Sequence, residues 1–431
     1  MTSLKTGNPP WFDKLPNVQH FPVATGEVHA SVAIIGGGIA GLAVAWYLAE
    51  RHGIDSVVLE QEHLGGASTG KMGSFNTIMF DQSYHETSTA LGSDRTQAVV
   101  DDAYWALSEF PRLIAEHGIA CGYRQTPSFV WADKASDLAA VEQEHATLRQ
   151  LGARVEMVDG AALGEGHAFV KRALKLTGEA NLNTRAFLLA LLETEIAQKH
   201  IRVFEKSPVA SVQVGADGVE LTTAAARIRA GKVVVATGRP HPAVPELADV
   251  TRTATIFAMV VRFDGGAPIG DQMYYGQDIL PFFYRKLEDG SMLIGGSGRP
   301  GSMDRYLSSK RPFRKLEAIV RKRFGAGFTV ERRWMGEIHL TRDCLPCFGQ
   351  VTGYGGKVLA SVGLGGLGTV FGLIGGRVIA DAIANPASQA DNHYGFDRKF
   401  TLTELPALLF DESWFGRLKR AAMMLAVELL T

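Results

Sequence analysis

The sequence predicts an α/β protein in which a Rossmann-like domain is interleaved with an α+β domain built on a mixed, largely antiparallel sheet. Three observations predict it. Residues 31–60 read in order as a buried strand, a glycine turn, a helix, a second buried strand and an acid. Later stretches, Thr255 to Phe263, Gln272 to Arg285 and Ser291 to Ile294, alternate as strands of a sheet do. Finally, 431 residues exceed the roughly 300 at which a single core stops growing, so at least two domains are expected.

Ser31 to Ile35 is a short apolar run, as expected of a buried parallel strand, and Gly36 to Gly41 fits GxGxxG. Gly36 permits a tight turn, Gly38 lets backbone approach a diphosphate, and Gly41 lets the helix pack close to the strand. Ile39 to His52 supplies helix formers, with small contacts at Ala40, Ala43 and Ala45, and Gly53 stands where a left-handed cap belongs. Ser56 to Leu59 makes the second strand and ends at Glu60, 24 residues beyond Gly36, close to the spacing at which a carboxylate reaches a ribose hydroxyl. An acid there disfavours a ribose 2′-phosphate. The positive end of the helix then faces the diphosphate.

Two uncharged stretches, Ala30 to Ala49 and Val358 to Gly376, are long enough to mimic membrane spans. Both carry several glycines, which break a spanning helix, so strand, turn and buried helix is the expected reading. With 44 basic and 45 acidic residues the net charge is -1, and no global field draws the chain to nucleic acid or an anionic membrane. A small-molecule partner is expected. The first 25 residues lack a continuous apolar core, which argues against a signal peptide. Three cysteines, Cys121, Cys344 and Cys347, make no disulfide scaffold, and a cytoplasmic location is the default. Cys344 and Cys347 form a CxxC, but no second pair exists for zinc, so no metal is expected.

After Glu60 the chain reads Gln61-Glu62-His63-Leu64-Gly65-Gly66-Ala67-Ser68-Thr69-Gly70, where a plain nicotinamide domain would start its next βα unit. A glycine pair with two hydroxyls suits a larger cofactor. From this point the chain resembles the FAD-dependent D-amino-acid-oxidase superfamily of glycine and sarcosine oxidase type, in which a GAS-type loop follows the second strand. Glu116 to Tyr123 resembles its "GI-x-C-x-Y" segment. Val203 to Val209 resembles the strand whose valine holds the adenine, and Val233 to Gly238 the strand returning to the cofactor. Phe283-Tyr284-Arg285 with Asp289-Gly290 and Gly295-Gly296 resembles the "YYR…DG…GG" hairpin. Trp334-Met335-Gly336 through Pro346 resembles "W-x-G…T-x-D-x-x-P", and Gly363 to Thr369 the loop closing under the flavin ring. Leu345-Pro346 and the form of the hairpin most resemble those of γ-glutamylputrescine oxidoreductase-like amine oxidoreductases.

There are departures. The family's "GASGRNGG" is here Gly66-Ala67-Ser68-Thr69-Gly70-Lys71-Met72-Gly73, and Leu367 takes the histidine position of "GGHG". The cysteine that attaches flavin in sarcosine oxidases aligns with Gly336, so the resemblance implies FAD held noncovalently.

The resemblance divides the chain as follows. Residues 28–95, 168–245 and 335–390 form the FAD domain, and 96–167 with 246–334 the substrate domain, including helices at Gln97 to His117 and Ser136 to Leu151. Residues 1–27 make an extended lead-in with Pro9-Pro10-Trp11-Phe12, and 391–431 a helical extension. The expected FAD contacts are Gly36, Gly38, Ile39, Ala40, Gly41, Glu60, Gln61, Gly66, Ala67, Ser68, Thr69, Lys71, Val209, Gly238, Gly365, Gly366, Leu367, Gly368 and Thr369.

The implied reaction is oxidation of the C–N bond of a small amine or amino acid by hydride transfer to flavin N5, giving an imine that hydrolyses; oxygen or another acceptor then takes the electrons. Backbone N–H groups of Gly365 to Gly368 are expected to meet negative charge at N1 and the C2 carbonyl, with Thr369 opening a helix. Tyr284 and Arg285 are the candidates to grip a substrate carboxylate, and Lys71 to touch the flavin edge. No proton-abstracting side chain is evident, which hydride transfer from a neutral amine tolerates. Competing readings are a flavin dehydrogenase of 2-hydroxy acids and a flavin-holding subunit of a larger dehydrogenase. Glu412 to Leu430 reads as a helix with Arg417, Lys419 and Arg420 ahead of an apolar end. Covering its own domain is the favoured role, ahead of a partner or membrane surface.

Overall fold

The computed structural model describes residues 7–13, 21–276 and 282–398. The extension expected at Glu412 to Leu430 lies outside the described residues.

Two eight-stranded sheets organise the described residues. In the first, Gly26–Ile35 lies between Ala226–Gly238 and Ser56–Leu59, parallel to both, and Ser56–Leu59 pairs in parallel with Ile201–Phe204. Val358–Val362 joins the other side of Ala226–Gly238, again in parallel. Near-continuous apolar runs, Val32 to Ile35, Val57 to Leu59, Val233 to Ala236 and Val358 to Val362, make the centre of this sheet and are buried on both faces. An antiparallel hairpin, Ser211–Val214 and Val219–Thr222, extends the edge.

The helix Ile39–His52 covers one face, ending on Gly53 in the left-handed region at φ 61°. Against it packs Gly368–Ala384, and a Cβ added at Gly376 would stand 2.6 Å from Ala43 Cβ. Glycine in that helix therefore serves close helix packing. The run Gly365–Ala384 is long and apolar enough to cross a membrane, but 72% of its most apolar window is buried inside the protein. Both stretches that mimic membrane spans thus fold as strand, glycine turn and core helix.

The second sheet runs Phe328–Leu340, Arg252–Phe263, Met292–Pro300, Phe283–Lys286, Met273–Gly276, Ser128–Ala132, Arg172–Leu176 and Val155–Asp159. It is antiparallel except where Met273–Gly276 meets Ser128–Ala132. Arg311–Phe324 lies on one face and buries Phe313, Leu316 and Val320 against Phe257, Met259, Val261, Tyr284 and Ile294. The other face turns toward the first sheet. Helices Ser93–His117 and Leu138–Gln150 accompany the sheets near their expected positions.

Two boundaries differ from the expected division. Arg172–Leu176, assigned with the cofactor domain, pairs in the second sheet, and so does Phe328–Leu340 through residue 340 rather than 334. Both strands pair along their length within the second sheet, and strand pairing is a long-range property that local pattern does not carry. In the lead-in, Trp11 Nε1 donates to Gly70 O at 2.7 Å and Phe12 lies under the Arg185 guanidinium, 4.6 Å from ring centre to Cζ. This strap lies over the turn at 68–71.

Candidate active site

A cavity of about 880 Å³ lies between the two sheets, at the carboxyl ends of the parallel strands. That is where open α/β sheets bind ligands. One wall is the glycine turn. Gly36 has φ 113°, and a Cβ on it would stand 2.5 Å from Ala236 O. A Cβ on Gly41 would collide with Gly36 O, so Gly41 sets helix-to-strand spacing and does not line the cavity. Gly38 is different: a Cβ there would meet nothing nearer than Thr69 Oγ1 at 3.0 Å. Its open side is the cavity, with the N-terminus of Ile39–His52 directly behind. No N-cap side chain serves that helix; instead the Thr69 hydroxyl accepts from Ile39 N–H at 3.0 Å.

Glu60 lines the cavity at the end of its strand. Its carboxylate accepts from Gly37 N–H and from Glu62 N–H, each at 2.8 Å. Backbone donors hold that group in place and aim its remaining lone pairs. Gln61, Ala67, Ser68, Thr69, Val209 and Gly238 complete this end. Gly66 does not reach the cavity; it turns the chain, where a Cβ would stand 2.9 Å from His63 O.

The floor is Gly365 to Thr369, all five residues lining the cavity. Asp81 lies against this turn. Its Oδ2 accepts from Gly366 N–H at 2.6 Å, and a Cβ on Gly365 or Gly366 would strike its carboxylate. One of the donors expected to face the flavin is therefore already engaged. Burial pushes the Asp81 carboxyl up to about 6, and the Gly366 N–H pulls the other way. Thr369 points its hydroxyl at Met72 Sδ, 2.9 Å away. Lys71 lines the cavity half-buried; burial lowers its pKa while Glu337 opposes that shift.

The far wall corrects the substrate assignments. Tyr284 and Arg285 do not line the cavity. Tyr284 faces the Arg311–Phe324 helix, fully buried and stacked on Tyr274 at 5.0 Å, with its Oη unpartnered among the described residues. Arg285 is spent on the protein: Nε donates to Gly73 O at 3.1 Å and Nη1 to Asn181 Oδ1 at 3.4 Å. Strand alternation explains the first, since adjacent residues point to opposite faces. Phe283 takes the cavity face instead, edge-on to Phe75 at 5.5 Å.

Sequence reasoning missed Phe75, Thr77, Asp81, Tyr275 and Phe283, all cavity residues. Parity along Phe283-Tyr284-Arg285 was available but its phase was not. His339 lines the wall with Nδ1 3.0 Å from Thr253 Oγ1 and is pushed down to about 4, chiefly by burial. None of the three cysteines lines the cavity. Cys347 Sγ instead accepts from Arg398 Nη1 at 3.3 Å, and burial raises its thiol to about 11. Gly336, not a cysteine, lines the cavity beside Lys71.

The fold and the cavity define a dinucleotide-cofactor oxidoreductase with a second domain closing over the reactive end. The family model "DAO: FAD dependent oxidoreductase" matches residues 31–382, and the chain belongs to that family. A relative is gamma-glutamylputrescine oxidoreductase of Escherichia coli K12, 25% identical over 89% of this chain and 91% of that one. Among solved structures, glycine oxidase from Geobacillus kaustophilus superposes with a TM-score of 0.70 at 18% identity, covering 88% of this chain and 99% of that one. L-proline dehydrogenase from P. horikoshii gives 0.67 at 16%, covering 91% and 99%. The cofactor is FAD, as the family description says. The residues fit it: an open cradle at Gly38, a carboxylate held at Glu60 and a cavity long enough to join both sheets.

Proposed function

We propose that the chain oxidises the C–N bond of a small amine or amino acid. The observation that carries this reading is one continuous cavity running from the glycine turn to an aromatic enclosure of Phe75, Tyr275 and Phe283. The names of the relatives, gamma-glutamylputrescine, glycine and L-proline, support it, since each compound carries an amine on a carbon bearing hydrogen.

Gly38, Ile39 and Ala40 would face the diphosphate, Glu60 the ribose, and Val209 with Gly238 the adenosine side; Gly365 to Thr369 and Lys71 would meet the ring. FAD supplies the hydride acceptor, and loss of hydride leaves an imine that water hydrolyses. Phe75, Phe283 and Ile256 keep the reacting end apolar, which strengthens each polar contact made there. With Gly336 where an attaching cysteine would stand, the cofactor is held noncovalently.

The test is anaerobic mixing of the FAD-loaded protein with amines, N-methyl amino acids, D-amino acids and 2-hydroxy acids, watching the flavin absorbance. Bleaching by amine-bearing compounds is expected. Bleaching by hydroxy acids alone, or by nothing in the panel, overturns the reading.

A further inference from the structure

Behind the aromatic wall lies a carboxylate that cofactor binding does not use. Glu179 is wholly buried. Its Oε1 accepts from Thr77 Oγ1 at 2.6 Å and Ile78 N–H at 3.1 Å, and its Oε2 accepts from Ser128 Oγ. Both hydroxyls also meet one phenol: Tyr275 Oη is 2.9 Å from Thr77 Oγ1 and 3.1 Å from Ser128 Oγ. A hydroxyl has a single proton. With both protons committed to Glu179, neither hydroxyl can donate to Tyr275, so the phenol donates inward to one of them. Tyr275 and Thr77 both line the cavity, and the phenolic oxygen keeps its acceptor capacity for a ligand there.

We propose that Tyr275, Thr77, Ser128 and Glu179 form a proton relay that strips the substrate ammonium before its oxidation. The inference rests on the amine reading above and deepens it. An amine enters from neutral water as its ammonium, and only the neutral amine has the lone pair that assists hydride loss. One ammonium proton passes to Tyr275 Oη as Tyr275 gives its own to Thr77 Oγ1 or Ser128 Oγ, and that hydroxyl gives its proton to Glu179. Neutral amine, phenol, alcohol and carboxylic acid remain, with no electron transferred.

A cation and an anion vanish together, which a dry site favours. Burial raises the Glu179 carboxyl to about 7 and lowers an ammonium held beside it, so the two approach each other. The titratable groups whose charge couples to Glu179 are phenols: Tyr275 from the sheet, Tyr84 from Tyr84–Leu91 and Tyr104 from Ser93–His117. Tyr84 is occupied elsewhere, donating to Ile78 O at 2.6 Å, and the Tyr104 oxygen accepts from Arg154 N–H. Tyr275 alone of these reaches both the cavity and the hydroxyls.

The experiment is rapid-mixing flavin reduction with the best amine of the panel, from about pH 6 to about pH 10, which spans the carboxyl and amine ranges. In Glu179→Gln and in Tyr275→Phe the rate near neutrality should fall on the order of a hundredfold, the scale of a placed proton acceptor. It should recover toward wild type as pH approaches the pKa of the amine itself. Thr77→Val and Ser128→Ala should each cost less, because two parallel routes exist. A pH indicator gives a second readout with a non-oxidisable amine near pH 8: little proton release in wild type, about one proton per amine bound in Glu179→Gln.

Rates lowered equally at every pH, or equal proton release in both proteins, overturn the relay while leaving amine oxidation standing. Tyr275→Phe keeps Glu179 and its hydroxyls, so the test survives poor folding of Glu179→Gln. If no amine reduces wild-type flavin at any pH, both inferences fall.

Discussion

At the end proposed to hold FAD the cavity is walled by consecutive backbone, Gly38 to Ala40, Glu60 to Gln61 and Ala67 to Thr69, whereas at the end proposed for substrate single side chains meet from separate segments: Phe75, Thr77, Tyr275 and Phe283. The carboxylates differ in the same way. Glu60 is held by N–H groups 23 and two positions away, within one strand–helix–strand unit, and Glu179 by hydroxyls 102 and 51 positions distant. A diphosphate and ribose are constant demands that a short run of chain can meet. A substrate is particular, and its wall is assembled by tertiary packing.

The largest effect should come from breaking the cofactor end. Gly41→Val would force helix and strand apart at Gly36 O, an overpacking cost of about 3 kcal/mol compounded by loss of the cradle. Urea unfolding and FAD titration check it, and a stable protein with unchanged FAD affinity would refute the assigned role. Next, Glu60→Ala removes the acceptor for Gly37 and Glu62 N–H groups. About 1.5–3 kcal/mol is at stake for bonds to a charged group. FAD binding followed by flavin fluorescence should weaken accordingly, with Glu60→Gln in between.

At the substrate end the hairpin offers an internal contrast. Phe283→Ala opens the cavity wall and should raise KM roughly tenfold, equivalent to about 1.4 kcal/mol of lost binding. Tyr284→Phe, one residue along, removes an unpartnered hydroxyl from the opposite face and should leave turnover unchanged and stability within about 0.5 kcal/mol. Equal effects of the two on KM would break the comparison.

The smallest effect concerns pH and stability. Glu179 titrates near 7 in the folded chain, above its usual value, so the native state binds the extra proton and stability falls as pH rises from about 4.5 through about 7. Glu179→Gln should flatten that slope in denaturant titrations. A wild-type slope of opposite sign in this window would place the charged form, not the neutral one, as the favoured state.

Legibility followed the same division. The turn at 36–41, the acid at 60 and the loop at 67–69 could be read because each is a short motif marked by residue type, at fixed spacing along one strand–helix–strand unit, and 365–369 because glycine pairs mark close approach. Tyr284 was misplaced because strand parity shows that neighbours face opposite ways but not which way is inward. Arg285 was misplaced because a guanidinium bound by Gly73 O and Asn181 Oδ1 has the same local sequence as a free one. Glu179 gave no signal at all: Gly178-Glu179-Ala180 is an unremarkable turn until Thr77 and Ser128 are folded onto it.

By itself, then, the order of residues determined the cofactor class and the parallel sheet that presents it, because backbone turns and apolar runs are specified over distances of a few residues. Only the tertiary structure decided which face of the second sheet meets the cavity, which cation is spent on the protein, and which buried acid shares hydroxyls with Tyr275. Those depend on register and packing between segments as much as 212 residues apart, for which no local pattern carries the information.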